Sequence, residues 1–188
     1  MNGGKMEFDF KFGEMSVYER KKLYNYIKVY DPTTVLECGA GKGASTHIMV
    51  NAVNNNSKIY SCDPSRHPDF KSELLFFHNE KSDKLISKLI NDKIYPDFIF
   101  FDGPEEPEVA LNDFIELDKY VEIGTIFSMH DWCTVKRKLD GAISTKANLL
   151  KPYINSLDTW ELLEETSGEE YIESEESVGI CFYKKILK

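Results

Sequence analysis

No run in the chain approaches the roughly 18–20 consecutive apolar residues of a membrane span, and the N-terminus lacks the charged-then-apolar pattern of a secretory signal. These absences predict a cytoplasmic protein with no membrane partner. Cysteine is scarce: Cys38, Cys62, Cys133 and Cys181 form no C-x-x-C pair, and three of them lie in or beside apolar runs. Reduced, buried thiols are expected, as suits a reducing compartment. A surplus of positive charge is also missing, since 32 Asp+Glu face 23 Lys+Arg for a formal net charge of −9. No broad cationic face is available for nucleic-acid phosphates, so no nucleic-acid partner is expected. Short basic groups remain at Arg20-Lys21-Lys22 and Lys136-Arg137-Lys138, read as solvated faces or small anion contacts.

What is present is enough for a core. The 188 residues are 41% hydrophobic and 13% aromatic, which fits one folded domain over residues 1–188. Within it, 1–31 reads as an N-terminal arm and helix, and 32–188 as the main body. The acidity is concentrated: residues 164–177 hold seven Glu and no Lys or Arg, and removing them leaves 25 acidic against 23 basic residues. The body is nearly neutral.

Periodicity orders the elements. Met6 to Phe12 alternates with period two, as an edge strand or extended arm would. Ser16 and Glu19 have capping-box spacing, and Leu23, Tyr26, Ile27 and Tyr30 then recur at helical intervals up to Pro32. From there short apolar runs alternate with helical ones. Strands are predicted at Thr34–Cys38, Lys58–Cys62, Leu74–His78, Pro96–Phe101 and Thr125–Met129, with two more near 159–164 and 178–184 flanking the acidic segment as a long hairpin. Helices are predicted over about 45–53, after a Ser82 cap, over about 107–121, and between 140 and 156. The pattern predicts an α/β fold, Rossmann-like and doubly wound, with a mostly parallel seven-stranded sheet ending in an antiparallel C-terminal hairpin.

In such sheets ligands bind beyond the carboxyl ends of the strands, where the strand order reverses. Polar residues stand at five successive strand ends: Glu37 with Gly39, Gly41 and Gly43; then Asp63; then His78 to Ser82; then Asp102; then His130 and Asp131. Gly39 and Gly41 would let the backbone approach a ligand, and Asp63 stands where an acid accepts hydrogen bonds from ribose hydroxyls. A nucleoside-containing cofactor is the consequence. A diphosphate would be repelled by Glu37, whereas a sulfonium or amino group would pair with it.

Val35-Leu36-Glu37-Cys38-Gly39-Ala40-Gly41-Lys42-Gly43 resembles the first motif of class I S-adenosylmethionine-dependent methyltransferases, and Tyr60-Ser61-Cys62-Asp63 their second. The resemblance continues through Asp97 to Gly103, Gly124 to Asp131 and Val178 to Lys184, and so covers most of the chain from Thr33 onward. The D-G and H-D pieces resemble the small-molecule O-methyltransferase branch that includes antibiotic-sugar and cephalosporin-tailoring relatives.

The resemblance implies S-adenosyl-L-methionine bound by Glu37, Gly39, Ala40, Gly41 and Asp63, with Ser82 near the adenine and Asp102 facing the methionine end. It implies a small-molecule hydroxyl or amine acceptor. His130 is the expected general base, since an imidazole near its ordinary pKa of about 6.5 takes a proton at neutral pH, with Asp102 and Asp131 as the other catalytic residues. The alternative for His130 is a ring oriented by Asp131 with no catalytic role.

Two departures from the family pattern concern a metal. Glu105 stands where relatives often have a histidine, and Trp132 follows Asp131 where a second acid or amide ligand is common. One reading has Asp102 and Asp131 holding Mg²⁺ with Glu105 and waters. The other has Asp131 capping the next turn and Asp102 hydrogen-bonding the cofactor or backbone.

Tyr18, the Phe8/Phe10/Phe12 arm, Trp132 and the segment around Trp160 are candidates for a lid. The arm and the terminal hairpin are the expected contact surfaces of a homo-oligomer. Two other functions stay open on the sequence alone: an NAD-dependent oxidoreductase, and a non-catalytic nucleoside-binding protein of the same fold.

Overall fold

Strands that are apolar on both sides need cover on both faces, and the computed structural model shows that cover. It describes residues 15–103, 105–133, 144–166, 171–172, 175–176 and 178–188. The alternating Met6–Phe12 stretch and the Lys136-Arg137-Lys138 group lie outside the described residues.

The elements follow in order: α1 (Val17–Tyr30), β1 (Thr34–Cys38), α2 (Ala44–Ala52), β2 (Lys58–Cys62), β3 (Leu75–His78), α3 (Ser82–Asn91) and β4 (Phe98–Phe101). Then come α4 (Pro107–Asp118), β5 (Ile126–His130), α5 (Leu150–Asn155), β6 (Trp160–Glu165), β7 (Tyr171–Ile172), β8 (Glu175–Glu176) and β9 (Ile180–Lys185). Seven strands form one sheet in the order β3-β2-β1-β4-β5-β9-β6, while β7 and β8 pair with each other. The first five strands pair in parallel and β9 runs antiparallel between β5 and β6. The doubly wound, mostly parallel sheet and its closing antiparallel pair are as expected.

Side chains alternate across the sheet and divide the core in two. Leu36, Cys38, Ile99, Phe101, Phe127, Met129 and Tyr183 pack on one face with Leu85, Leu89, Phe114 and Leu117 of α3 and α4. Val35, Ile59, Phe98, Phe100, Ile126 and Phe182 pack on the other with Leu23 and Ile27 of α1 and Ile48 and Met49 of α2. Glu37 shares the period of Val35, and His130 that of Ile126. Both are thereby carried to the α1 and α2 side.

The helix ends hold some surprises. The capping box at α1 forms as expected: Ser16 Oγ accepts from Glu19 N at 3.2 Å, and Glu19 Oε2 accepts from Ser16 N at 3.0 Å. Ser82 does not cap α3. Lys81 occupies that position, Ser82 begins the helix, and its hydroxyl hydrogen-bonds Asp113 of α4. The predicted 107–121 helix ends at Asp118. Cys38, Cys62 and Cys181 are buried free thiols, as expected, and Cys133 is half-buried.

Candidate active site

Between β1 and β4 the chain leaves the sheet in opposite directions, toward β2 on one side and β5 on the other. The crevice at that reversal collects most of the residues singled out by sequence. Gly39 has φ +95°, and a Cβ on it would lie 2.2 Å from Gly103 N. Its bareness therefore serves the contact between the loops after β1 and β4, rather than the approach of a ligand. Gly41, at φ +54°, would meet nothing within 4 Å. Ala40 is buried, and the Gly39 and Ala40 N–H groups both donate to Cys62 O, at 2.9 and 3.0 Å.

Glu37 lies behind this loop with no exposed surface. Its Oε1 accepts from Ser45 Oγ at 2.5 Å, and its Oε2 accepts from Thr46 Oγ1 at 2.6 Å and from Ser61 Oγ. Burial pushes its carboxyl up to about 7 against the pull of these hydroxyls. The carboxylate acts as a brace that ties the first turn of α2 to β2. Ser45, Thr46 and Ser61 were not anticipated, although the adjacent hydroxyls of Ser45 and Thr46, just past Gly43 and Ala44, are a readable signal for such a brace.

Asp63 is likewise engaged. Its Oδ2 accepts from Gly41 N at 2.9 Å, and its Oδ1 from Ser65 N at 2.9 Å, Ser65 Oγ at 3.1 Å and Arg66 N at 2.8 Å. Burial would raise its pKa, but the N–H groups of Ser65, Arg66 and Gly41 outweigh it and the net shift is downward. Asp63 thus stays ionised and fixes the loop after β1.

Past β4 and β5 a charged network forms. His130 Nδ1 lies 3.0 Å from Asp102 Oδ1, and His130 Nε2 lies 3.5 Å from Glu19 Oε2. Burial disfavours the charged ring, yet Asp102 and Glu19 outweigh it and raise its pKa well above the ordinary value. Burial alone would raise Asp102, but the charges of His130 and Lys146 hold it down at about 2. Held between these two carboxylates, the ring is placed to stay charged, and a charged imidazole has no lone pair with which to act as a base.

Lys146 was not anticipated. Its Nζ stands 2.7 Å from Asp131 Oδ2, 3.2 Å from Glu105 Oε1 and 3.7 Å from Asp102 Oδ1, and donates to the Asp102 carbonyl at 2.6 Å. Asp131, at φ +56°, is one of three non-glycine residues with positive φ among those described. Its Oδ1 has no hydrogen-bond partner among the described residues. Glu19, foreseen only as a cap, also accepts from Val178 N at 3.1 Å and Gly179 N at 2.9 Å. It joins α1, the start of β9 and His130.

Other expectations fail on burial. Arg20 is 3% exposed, so it is no solvated face. Trp132 is buried and donates to Glu165 Oε2 at 2.8 Å, and Trp160 is buried and donates to Asp118 Oδ1 at 2.8 Å; neither is placed as a lid. A cavity of about 280 Å³ lined by Trp132, Cys133, Ala147, Asn148, Lys151 and Pro152 adjoins this end of β5. A second, of about 450 Å³, lies at the opposite ends of the strands around Tyr95, Asp118 and Lys188, away from the network.

Residues 36–132, which hold the glycine loop, Asp63, Asp102 and Asp131, match a family described as a methyltransferase domain. The chain belongs to the methyltransferase domain family. No curated protein matches this methyltransferase domain, but solved structures share its fold. A candidate O-methyltransferase of Klebsiella pneumoniae superposes with TM-score 0.72 at 12% identity, over 93% of this chain and 82% of that one. The O-methyltransferase of Bacillus cereus, solved in complex with SAH, gives 0.69 at 14% identity over 92% and 82%. TomG of Streptomyces achromogenes, an O-methyltransferase involved in tomaymycin synthesis and solved in complex with SAM, gives 0.69 at 12% identity over 92% and 82%. Among the described residues no helix is long and apolar enough to cross a membrane.

Proposed function

We propose that this methyltransferase binds S-adenosylmethionine in the crevice between the loops after β1 and β4 and methylates a hydroxyl group of a small molecule. The observation that carries the reading is the pinned glycine loop at the sheet's reversal point, where Gly41 faces open space while its N–H is tied to Asp63. The cradle suits a bulky nucleoside, since a side chain at Gly41 would occupy the space a ligand needs.

In this reading Gly39, Ala40, Gly41, Asp63, Ser82 and Asp102 border the cofactor, and Glu37 braces the loop from behind. The bound cofactor supplies a methyl group already activated on sulfur. The protein's own work is to hold the acceptor oxygen in line with that carbon and exclude water. In this reading Asp131 takes the acceptor's proton, which its one buried oxygen without a partner supports. His130 holds Asp102 in position instead of acting as the base.

Titration calorimetry of S-adenosylmethionine, S-adenosylhomocysteine and NAD tests the reading. The first two bind and NAD does not; tighter binding of NAD would return the oxidoreductase alternative. Labelled-methyl transfer into a pool of hydroxylated metabolites then separates an enzyme from a binding protein of the same fold.

A further inference from the structure

Asp102, His130 and Asp131 offer three ligand atoms within 4.8 Å of one another. Two carboxylates and an imidazole are a donor set that a divalent ion accepts, and one of the two readings of the sequence has Asp102 and Asp131 hold Mg²⁺. The contacts of this chain do not fit one. His130 Nδ1 is turned onto Asp102 Oδ1 at 3.0 Å, and the Lys146 ammonium already stands against Asp131, Asp102 and Glu105. A divalent ion there would sit against a compact fixed cation, which an oxygen-ligand site for Mg²⁺ does not tolerate.

Lys146 is not a surface side chain that happens to reach the cluster. Its side chain is 5% exposed, and its position is set by Ala147 and Leu150, both buried in the core beneath α5. Its fourth contact, to the Asp102 carbonyl, fixes the ammonium to the loop after β4 as well as to the residue after β5. The placement bridges the two strand ends in the way a shared metal would.

We propose that Lys146 is the resident cation of this cluster: its ammonium occupies the place a divalent metal would take, and the cluster binds no metal while Lys146 is present. The side chain that neutralises Asp102 and Asp131 is thus carried by the chain itself. The charge of the site then no longer depends on metal supply.

Mn²⁺ binding to the full-length protein tests this, followed by electron paramagnetic resonance of the free ion and by broadening of the His130 ring resonances. Wild type leaves Mn²⁺ free and its His130 signals sharp. Lys146→Ala and Lys146→Met bind one Mn²⁺ at least about tenfold more tightly than wild type, and adding Asp131→Asn abolishes the gain. Lys146→Arg, which keeps the charge, behaves as wild type. Mn²⁺ also raises the melting temperature of Lys146→Ala but not of wild type.

Wild-type binding within about twofold of the alanine variant would overturn the proposal, as would Mn²⁺ broadening of His130 in wild type or a failure of both neutral variants to bind. The wild-type arm reads out even where a variant does not fold. All arms report cation binding, independent of whether a methyl group is transferred.

Discussion

A carboxylate with no exposed surface and three hydroxyl donors is held firmly but solvated poorly, and Glu37 is in that position. Its pKa, raised to about 7, makes the ionised form a cost to the folded state. The cost is absent below the ordinary carboxylate value, grows from about pH 4.5 to 7 and is complete above, at about 3 kcal/mol for a shift of that size. Melting curves from pH 5 to 8 therefore flatten in Glu37→Gln relative to wild type, and parallel curves would refute the brace. His130 runs the other way. Raised in the fold, its ion pairs contribute full stability below the ordinary histidine value, and that contribution is lost only as pH climbs through the higher folded value. Its ring proton signals should not titrate between pH 6 and 7, and a midpoint near 6.5 would restore it as the base. Glu37 was legible as the lone acid near the end of apolar β1, and Asp63 and Asp102 because each directly follows an apolar strand. Glu19 and Lys146 were not as site residues: Glu19 reaches Val178 and Gly179 across 159 and 160 residues, and Lys146 reaches Asp102 across 44, with no local pattern to mark either contact.

The loop from β1 to α2 shows how neighbouring glycines serve different ends within one element. At Gly39 a Cβ would be driven into the Gly103 backbone from a left-handed conformation, so Gly39→Ala forces the loops after β1 and β4 apart. At Gly41 the left-handed backbone alone is strained, at about 1 kcal/mol for alanine, and the space beyond is open. Gly41→Ala should melt within about 2–4 °C of wild type while losing about tenfold or more in S-adenosylmethionine affinity. Gly39→Ala should fail to accumulate as folded protein. Calorimetry and thermal melts check both, and equal binding by Gly41→Ala would move the ligand elsewhere. Strand and helix identities were readable from period alone, since Val35, Leu36, Ile59 and Tyr60 are apolar on both sides while Leu85, Ile86 and Leu89 mark one helical face. The start of α3 was not, because Lys81 carries no side-chain cap and Ser82 bonds another helix instead.

At the scale of the whole molecule, a sheet buried on both faces has no dispensable cover. The matched family residues begin at 36, so α1 lies outside them, yet Leu23 and Ile27 have no exposed surface. The Tyr26 ring stacks on Phe182 of β9 with centroids 3.6 Å apart, and Glu19 receives the N–H groups that lead into that strand. The acidic segment is a different kind of feature, since its seven Glu account for most of the net charge while Glu37 is buried alone and Asp102 and Asp131 share Lys146 at the strand ends. That β9 lies inside β6 was not legible either, because two strands read as a hairpin do not reveal which member adjoins the parallel sheet. The inner position makes α1 necessary: it covers the face where the antiparallel strand joins the rest, around Phe182 and Ile126. A chain beginning at Pro32 would uncover that face and leave the Val178 and Gly179 N–H groups without their acceptor, each at about 1–3 kcal/mol if they stay buried. Such a chain should keep far-ultraviolet dichroism, bind anilinonaphthalene sulfonate and show no cooperative melt. A cooperative transition at the wild-type temperature would show instead that the residues from 32 onward fold without α1.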